Sequence, residues 1–378
     1  MSVSSFLKQD RSLKRGKGVD TRRPSVLGRN KQVVGLKVGA SQIAAAVVAN
    51  NGGTRLVSAA REELEPGIVG AGEVRDPEAL AQALDAFFRK HNLPRKNIRL
   101  GVGSNRIGVR IFERPPVEDP EQLANAIRFR AHETLPIPIE EAMLDYHLLD
   151  DSDGPGRVLL AVSYRDLVER FALACRAAKL ELVGIDLEAF ALLRALSHPL
   201  PEGTERRKAA IVAASIGQER TTVAVSDGRI CEFARVLDWG GGKLTAAIEK
   251  ALNLDRHEAE RVKRSVSLLT ETGATPKSED TNESKAREVV LRELKSLARE
   301  LVSSLEFYQA QPEALAIAEI TLTGGTSQLP GLDDELQRLI GVRVRVGDPF
   351  ARVGASSEAF VNGTAGSFAV PIGLGIED

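Results

Sequence analysis

The chain has 378 residues, enough for two or three domains with separate hydrophobic cores. Its 51 lysine and arginine residues nearly balance 52 aspartate and glutamate residues, so the overall charge does not indicate nucleic acid as a partner. No apolar segment has the length of a membrane span or the pattern of a signal peptide, and we therefore expect a cytoplasmic protein.

The first 31 residues differ in composition from the rest of the chain. They contain nine basic residues against two acids, Asp10 and Asp20, and few apolar side chains. This composition predicts a disordered basic arm. Two interpretations are open: contact with an anionic membrane surface, worth about 1 kcal/mol for each basic residue, or a solubilising tail without a specific role.

Residues 32–104, together with 185–205, are predicted to form the first half of the protein. Residues 33–64 alternate apolar runs with Gly and Asn turns, which predicts a β-meander. A helix over 78–91 follows, with Asp76 as its N-cap and Pro77 at its first position. Residues 97–103 then have the pattern of a buried strand.

Residues 105–184 have a different pattern of predicted strands and helices, which indicates an inserted α+β subdomain. The order is a strand, a Pro-Pro turn, a helix over about 120–135, a proline-containing loop, two further strands and a second helix. The first helix has an apolar stripe that we expect to pack against the sheet of the subdomain. That stripe consists of Leu123, Ile127, Ala131 and Leu135.

From residue 209 the pattern of the first half restarts. The segment after 208 aligns with the segment after 31, placing Gly217 on Gly39 and Ser215 on Lys37. Two copies of the same strand and turn pattern about 180 residues apart predict a duplicated α/β fold. The second half would be 206–378, with a helical subdomain at about 243–310 that includes a polar loop at 267–285.

Three glycine turns follow predicted strands, at residues 37–41, 215–219 and 322–331. Glycine allows successive backbone N–H groups to point into one concavity, which suits a phosphate group. A single turn of this kind is weak support for a phosphate site. Related turns in two halves of a duplicated fold, with a third that enters a helix, predict a nucleotide site between the halves.

The two repeated turns lack the acid that phosphate hydrolysis needs. Hydrolysis depends on Mg²⁺ with oxygen ligands and on a group that orients the attacking water, but Lys37 and Ser215 occupy the aligned positions. For Lys37 we favour a side chain that extends its ammonium into water. The alternative is that the ammonium lies in the cleft, where it meets phosphate or fills the space of a metal ion.

Several segments resemble the type IV pilus assembly protein PilM family, whose fold is that of the actin-like ATPases and is similar to that of the division protein FtsA. The segments are residues 101–149, LVSSLEFYQAQ, ITLTGGTSQLPGLDDEL and AVPIGLGIED. The resemblance implies a duplicated actin-like, ribonuclease H-like fold with the inserted subdomain. It also implies an adaptor at the inner face of the cell membrane that binds the cytosolic N-terminal segment of PilN and connects the pilus platform with its motor ATPases.

The resemblance further implies an ATP site in the cleft, with Mg²⁺ doubtful because both acids are missing. The first loop would contain Gly39, Ala40 and Ser41 beside Lys37, and the second loop would contain Ser215, Gly217 and Gln218. The residues near the nucleoside would be Gly324, Gly325 and Thr326. The residues beside the base would be Glu260 and Lys263.

Peptide capture is expected between the first half and the inserted subdomain. An extended segment could add to a strand edge and place alternate side chains in apolar pockets. The strand at 107–113 and the loop at 135–140 would be the walls. Their apolar residues are Ile107, Val109, Ile111, Leu135, Ile137 and Ile139, each of which could instead pack within the subdomain.

A non-catalytic adaptor is therefore the leading functional prediction. One alternative is a slow ATPase that uses the same cleft and polymerises. Another is a divergent FtsA-like division protein, which would require an amphipathic C-terminal membrane helix that the ending PIGLGIED does not supply.

Overall fold

The computed structural model describes residues 32–134, 138–149, 156–197, 208–269, 281–312, 314–356 and 365–377. The predicted basic arm, Leu135, Ile137 and most of the predicted polar loop lie outside these ranges. The strands are β1 Gln32–Val38, β2 Gln42–Asn50, β3 Thr54–Glu63, β4 Val69–Gly70, β5 Glu73–Val74, β6 Ile98–Val102, β7 Ile107–Glu113, β8 Ala142–Leu149, β9 Arg157–Tyr164, β10 Leu182–Leu187, β11 Ala209–Ile216, β12 Thr221–Ser226, β13 Cys231–Leu237, β14 Ala316–Thr323 and β15 Arg343–Val346. The helices are α1 Pro77–Lys90, α2 Pro120–Thr134, α3 Arg165–Ala177, α4 Glu188–Leu196, α5 Gly241–Leu252, α6 Arg256–Ser265, α7 Asn282–Gln309, α8 Leu332–Ile340 and α9 Ala369–Gly375.

Two five-stranded sheets have the same topology. The first has the order β10-β6-β1-β2-β3 and the second has the order β15-β14-β11-β12-β13. The central strand is β1 in the first sheet and β11 in the second. On one side of it the strands pair in antiparallel fashion, and on the other side they pair in parallel. The duplicated fold predicted from the sequence is therefore confirmed, and both sheets direct the ends of their parallel strands toward one cleft.

The repeated glycine turns have the same hydrogen bond in both sheets. The Gly39 N–H donates to the Gln42 carbonyl at 2.8 Å, and the Gly217 N–H donates to the Arg220 carbonyl at 2.9 Å. The alignment of Gly39 with Gly217 is thus structural as well as sequential. Each turn reverses the chain between a buried strand and its antiparallel neighbour.

The C-terminal helix α9 belongs to the core of the first half, although its sequence position lies in the predicted second half. Glycines allow this close packing. A Cβ atom on Gly35 would lie 1.9 Å from the Pro371 carbonyl oxygen, and one on Gly373 would lie 1.8 Å from that of Ala191. The chain therefore returns to its first sheet after the second is complete.

The inserted subdomain is a three-stranded antiparallel sheet in the order β7-β9-β8. Helix α2 covers one face, where Leu123, Ile127 and Ala131 pack against Val158 and Leu160 as the sequence predicts. The opposite face, with Val109, Leu159 and Ala161, joins the core of the first half. The second of these faces attaches the subdomain to the first half.

One acid on this sheet is buried without a full set of partners. Asp145 on β8 accepts a hydrogen bond from the Tyr146 N–H through Oδ1, whereas Oδ2 has no partner. Burial, with a smaller contribution from the charge of Asp186, raises the pKa of Asp145 to about 6. The folded protein therefore binds this proton more tightly than the unfolded chain does.

Replacing Asp145 by Asn should stabilise the protein above pH 6. Stability of the wild type should decline as pH rises from about 4 to about 6, because the folded state must then hold an unfavourable charge. We expect Asp145→Asn to raise the free energy of unfolding by about 1–2 kcal/mol at pH 8 and to have little effect at pH 4. Urea unfolding at both pH values measures these free energies, and Glu118→Gln, at an exposed position, is the control. An equal effect of Asp145→Asn at both pH values would contradict the raised pKa of Asp145.

Candidate functional site

A cavity of about 330 Å³ lies between the two halves at the glycine turns. Seven of the twelve residues predicted from the sequence line it. They are Ser41, Gly217, Gln218, Glu260, Lys263, Gly325 and Thr326. Six lining residues were not predicted, and they are Gln42, Arg61, Leu244, Arg264, Gln328 and Leu329.

The second glycine turn is bonded to the start of helix α5. The Gly241 and Gly242 N–H groups donate to the carbonyls of Gly217 and Gln218 at 2.8 and 2.7 Å. A Cβ atom on Gly242 would lie 2.9 Å from the Gln218 carbonyl oxygen, so glycine permits this approach. These two N–H groups are used within the protein, and an anion in the cavity would have to use other donors.

The predicted pair Glu260 and Lys263 forms a polar network in the cavity wall. The Lys263 ammonium donates to Glu260 Oε2 at 2.6 Å and to Thr245 Oγ1 at 3.0 Å, and Thr245 donates to the same carboxylate at 2.7 Å. Burial lowers the pKa of Lys263. Burial alone would raise the pKa of Glu260, but hydrogen bonds from Lys263 and Thr245 outweigh it and leave that pKa lowered.

More positive than negative side chains line the cavity. Arg61 of β3 reaches the cavity from the first half, and its guanidinium donates to Gln42 Oε1 at 3.1 Å. No carboxylate among the structurally described residues pairs with Arg61, whereas Lys263 and Arg264 share Glu260. Three cations against one acid favour an anionic ligand.

Lys37 does not extend its ammonium into water, and the favoured prediction for this side chain is wrong. Its Nζ lies 3.0 Å from Glu188 Oε2, and the two side chains are only 16% and 8% exposed. Glu188 is the first residue of α4 and follows directly after the parallel strand β10. No local pattern in the sequence identifies this partner, which lies 151 residues from Lys37.

Four other predicted residues do not line the cavity. Gly39 and Ala40 are half-buried in the first turn, and Ser215 is 4% exposed within β11. Gly324 has a φ of 91°, and a Cβ atom on it would lie 2.4 Å from the Ile216 carbonyl oxygen. Gly324 therefore serves the close packing of β14 against β11 rather than contact with a ligand.

The comparisons agree with this architecture. A family model described as type IV pilus assembly protein PilM matches residues 35–378. The chain belongs to the PilM family.

The similar solved structures extend from this family to other actin-like proteins. One chain of the PilM-PilN type IV pilus biogenesis complex is 26% identical, with a TM-score of 0.75 over 92% of this chain and 98% of that one. The ethanolamine utilization protein EutJ from Carboxydothermus hydrogenoformans is 16% identical, with a TM-score of 0.52 over 92% of this chain and 90% of that one. MreB 5 of Spiroplasma citri bound to AMPPNP is 15% identical, with a TM-score of 0.50 over 86% and 94%. The last two show that the fold is actin-like.

This PilM-family chain also has a hydrogen bond between its halves. The Ala71 N–H, in the turn between β4 and β5, donates to Glu219 Oε2 at 2.7 Å. Ala71 has a φ of 58°, the left-handed conformation, within this tight turn. Glu219, the acid nearest the second glycine turn, is therefore already engaged at the edge of the cleft.

The residues predicted to contact a partner peptide serve mainly as packing. Val109 is 4% exposed within the main core, and Ile107 and Ile111 are half-buried against it. Ile139 packs on the core beneath α2. β7 is an edge strand of its sheet, and β13 of the second half lies close to it. A strand added at β7 would have to fit beside β13.

The described part of the chain has neither a cluster of metal ligands nor a helix that could span a membrane. No group of three or more His, Cys, Asp or Glu side chains there is arranged to hold a metal ion. None of the helices in that part is both long enough and apolar enough to cross a membrane.

Replacing Glu260 by Gln should destabilise the protein, because Lys263 would keep its buried charge without a counterion. We expect a loss of about 2 kcal/mol in the free energy of unfolding, below the full penalty of a buried pair since Glu260 is partly exposed. Glu249→Gln on the neighbouring helix α5 is the control. Equal stabilities of the two variants in urea unfolding would count against a stabilising role for this network.

Proposed function

We propose that this protein is an adaptor of a type IV pilus assembly platform that binds the cytosolic N-terminal segment of a PilN-like membrane protein. The observation that carries the proposal is the match, at a TM-score of 0.75, to a chain of the PilM-PilN complex over almost its whole length. The inserted subdomain lies within the matched range. Contacts with a motor ATPase or other platform proteins, and a location at the inner face of the membrane through such partners, follow from the same role.

The cavity is proposed to bind a nucleotide such as ATP. Its position between two repeated glycine turns suits a phosphate group, and the positive excess of Arg61, Lys263 and Arg264 over Glu260 favours an anion. Hydrolysis is not part of the proposal, because Lys37 and Ser215 stand where the turns would need acids and the buried Lys37 neutralises Glu188. The nucleotide would then stabilise the closed arrangement of the halves.

The competing function is a slow ATPase. Unlike an adaptor, an ATPase requires a carboxylate that can orient the attacking water. Glu188 is paired with the Lys37 ammonium, which makes it a poor base, whereas Glu219 accepts the Ala71 N–H through one oxygen and keeps acceptor capacity on the other. Phosphate release at the buffer background, with nucleotide bound, supports the adaptor. Release that depends on the protein and rises with Mg²⁺ supports the ATPase.

Replacing Arg61 should weaken nucleotide binding without unfolding the protein. Arg61→Gln removes the cation that the first half contributes to the cavity, and we expect an increase of about tenfold in Kd for a fluorescent ATP analogue. Arg55→Gln changes an exposed arginine on the same strand and serves as the control. Equal affinities of the two variants would place the ligand outside this cavity.

Peptide binding is tested with a synthetic PilN N-terminal segment and fluorescence anisotropy. Ile107→Ala alters the inner side of the inserted subdomain, whereas Phe129→Ala alters an exposed side chain in the outer groove beside Pro115 and Pro116. We expect Ile107→Ala to weaken binding by about tenfold and Phe129→Ala to leave it unchanged. The reverse result would move the peptide to the outer groove, and no binding by the folded wild type would contradict the adaptor role.

A further inference from the structure

An ion pair crosses the carboxyl edge of the first sheet. Lys37 lies at the end of β1 and Glu188 follows the end of β10, with β6 between them. Gly101 of β6 is in register with Lys37 on one side and with Asp186 on the other. The Lys37 ammonium and the Glu188 carboxylate therefore meet above β6, at 3.0 Å.

Glycines in and beside β6 leave room for this pair. A Cβ atom on Gly103 would lie 2.8 Å from Glu188 Cδ and 2.9 Å from Oε2, the oxygen that faces Lys37. A Cβ atom on Gly72, in the turn between β4 and β5, would lie 2.2 Å from the Gly103 carbonyl oxygen. The space for the carboxylate is thus built into the sheet and covered by the adjacent turn.

Glu188 and Glu219 are two acids near this end of the cleft, and each has a partner. Glu188 Oε2 faces an ammonium, and Glu219 Oε2 accepts the Ala71 N–H. Mg²⁺ in nucleotide sites is bound through one or two carboxylates, phosphate oxygens and water. An ammonium 3.0 Å from the carboxylate takes up the position such a cation would use and repels it. The actin-like fold implies a magnesium ion here, but the residues of this chain do not fit one.

We propose that the cleft binds its nucleotide without a divalent cation, because Lys37 occupies the side of Glu188 where the cation would bind. This inference rests on the proposed nucleotide site. The pair is neutral as a whole, so attraction for the phosphates comes from Arg61, Lys263 and Arg264. Lys37 retains N–H groups beyond the one that Glu188 accepts, and its side chain is 16% exposed.

The test compares Kd for a fluorescent ATP analogue in EDTA and in excess MgCl₂. For the wild type we expect values within about twofold of each other. Tighter binding in Mg²⁺ by about tenfold or more would overturn the inference while leaving the nucleotide site intact. Absence of binding in both buffers would overturn the nucleotide site and this inference together.

Variants of the pair identify the residue responsible. Lys37→Met leaves Glu188 without a partner, and Mg²⁺ should then tighten nucleotide binding by about tenfold. The double variant Lys37→Met with Glu188→Gln should lose this gain, and Lys37→Arg should behave as the wild type does. If Lys37→Met shows no gain from Mg²⁺, Lys37 is not what excludes the cation.

A readout without nucleotide uses Mn²⁺ alone as the probe. Loss of the free-ion signal in electron paramagnetic resonance should report Mn²⁺ binding by Lys37→Met but not by the wild type or the double variant. Circular dichroism of each variant verifies that it is folded. Equal Mn²⁺ binding by all three proteins would overturn the assignment.

Discussion

The arrangement of the cleft depends on an ion pair that a glycine-containing strand makes possible. Lys37 lies on β1 and Glu188 directly follows β10, on either side of β6. The two residues are 151 positions apart, yet their charged groups lie 3.0 Å from each other. Removing either partner would leave a charge that is largely buried and unpaired, which is costly. The pair is therefore a structural element of the first half, and neither of its residues lines the cavity.

The two halves have the same topology but contribute different groups to the cavity. The second half supplies most of the polar lining, from the turn at Gly217 and from helix α6, whereas the first half supplies Ser41, Gln42 and Arg61. The donors at the start of α5 are used to hold the second turn in place. A ligand would thus be bound by side chains from both halves, so that its binding and the closure of the cleft are linked.

Sequence periodicity and turn residues predicted the duplicated sheets, the inserted subdomain and the packing stripe of α2, because these features depend on local pattern. The turn residues also located the cavity, as Ser41, Gly217 and Thr326 illustrate. The partner of Lys37 was missed because no local pattern identifies a contact between residues 151 positions apart. For Val109 the sequence left packing and peptide contact open, since alternation shows that a strand face is apolar but not which part of the protein covers it. The return of α9 to the first sheet depends on long-range packing of the same kind.

An adaptor needs a stable surface more than it needs turnover, and the physical features of this chain agree with that requirement. The inserted sheet is buried on both faces, and the two halves are joined by the bond between Ala71 and Glu219. Glu219 forms that bond, and Glu188 is paired with Lys37. A crystal structure of the protein grown with ATP and Mg²⁺ is the most direct test. We expect the nucleotide in the cavity, Lys37 still paired with Glu188, and no metal ion beside that carboxylate; a Mg²⁺ ion between the phosphates and Glu188, with Lys37 displaced, would contradict this expectation.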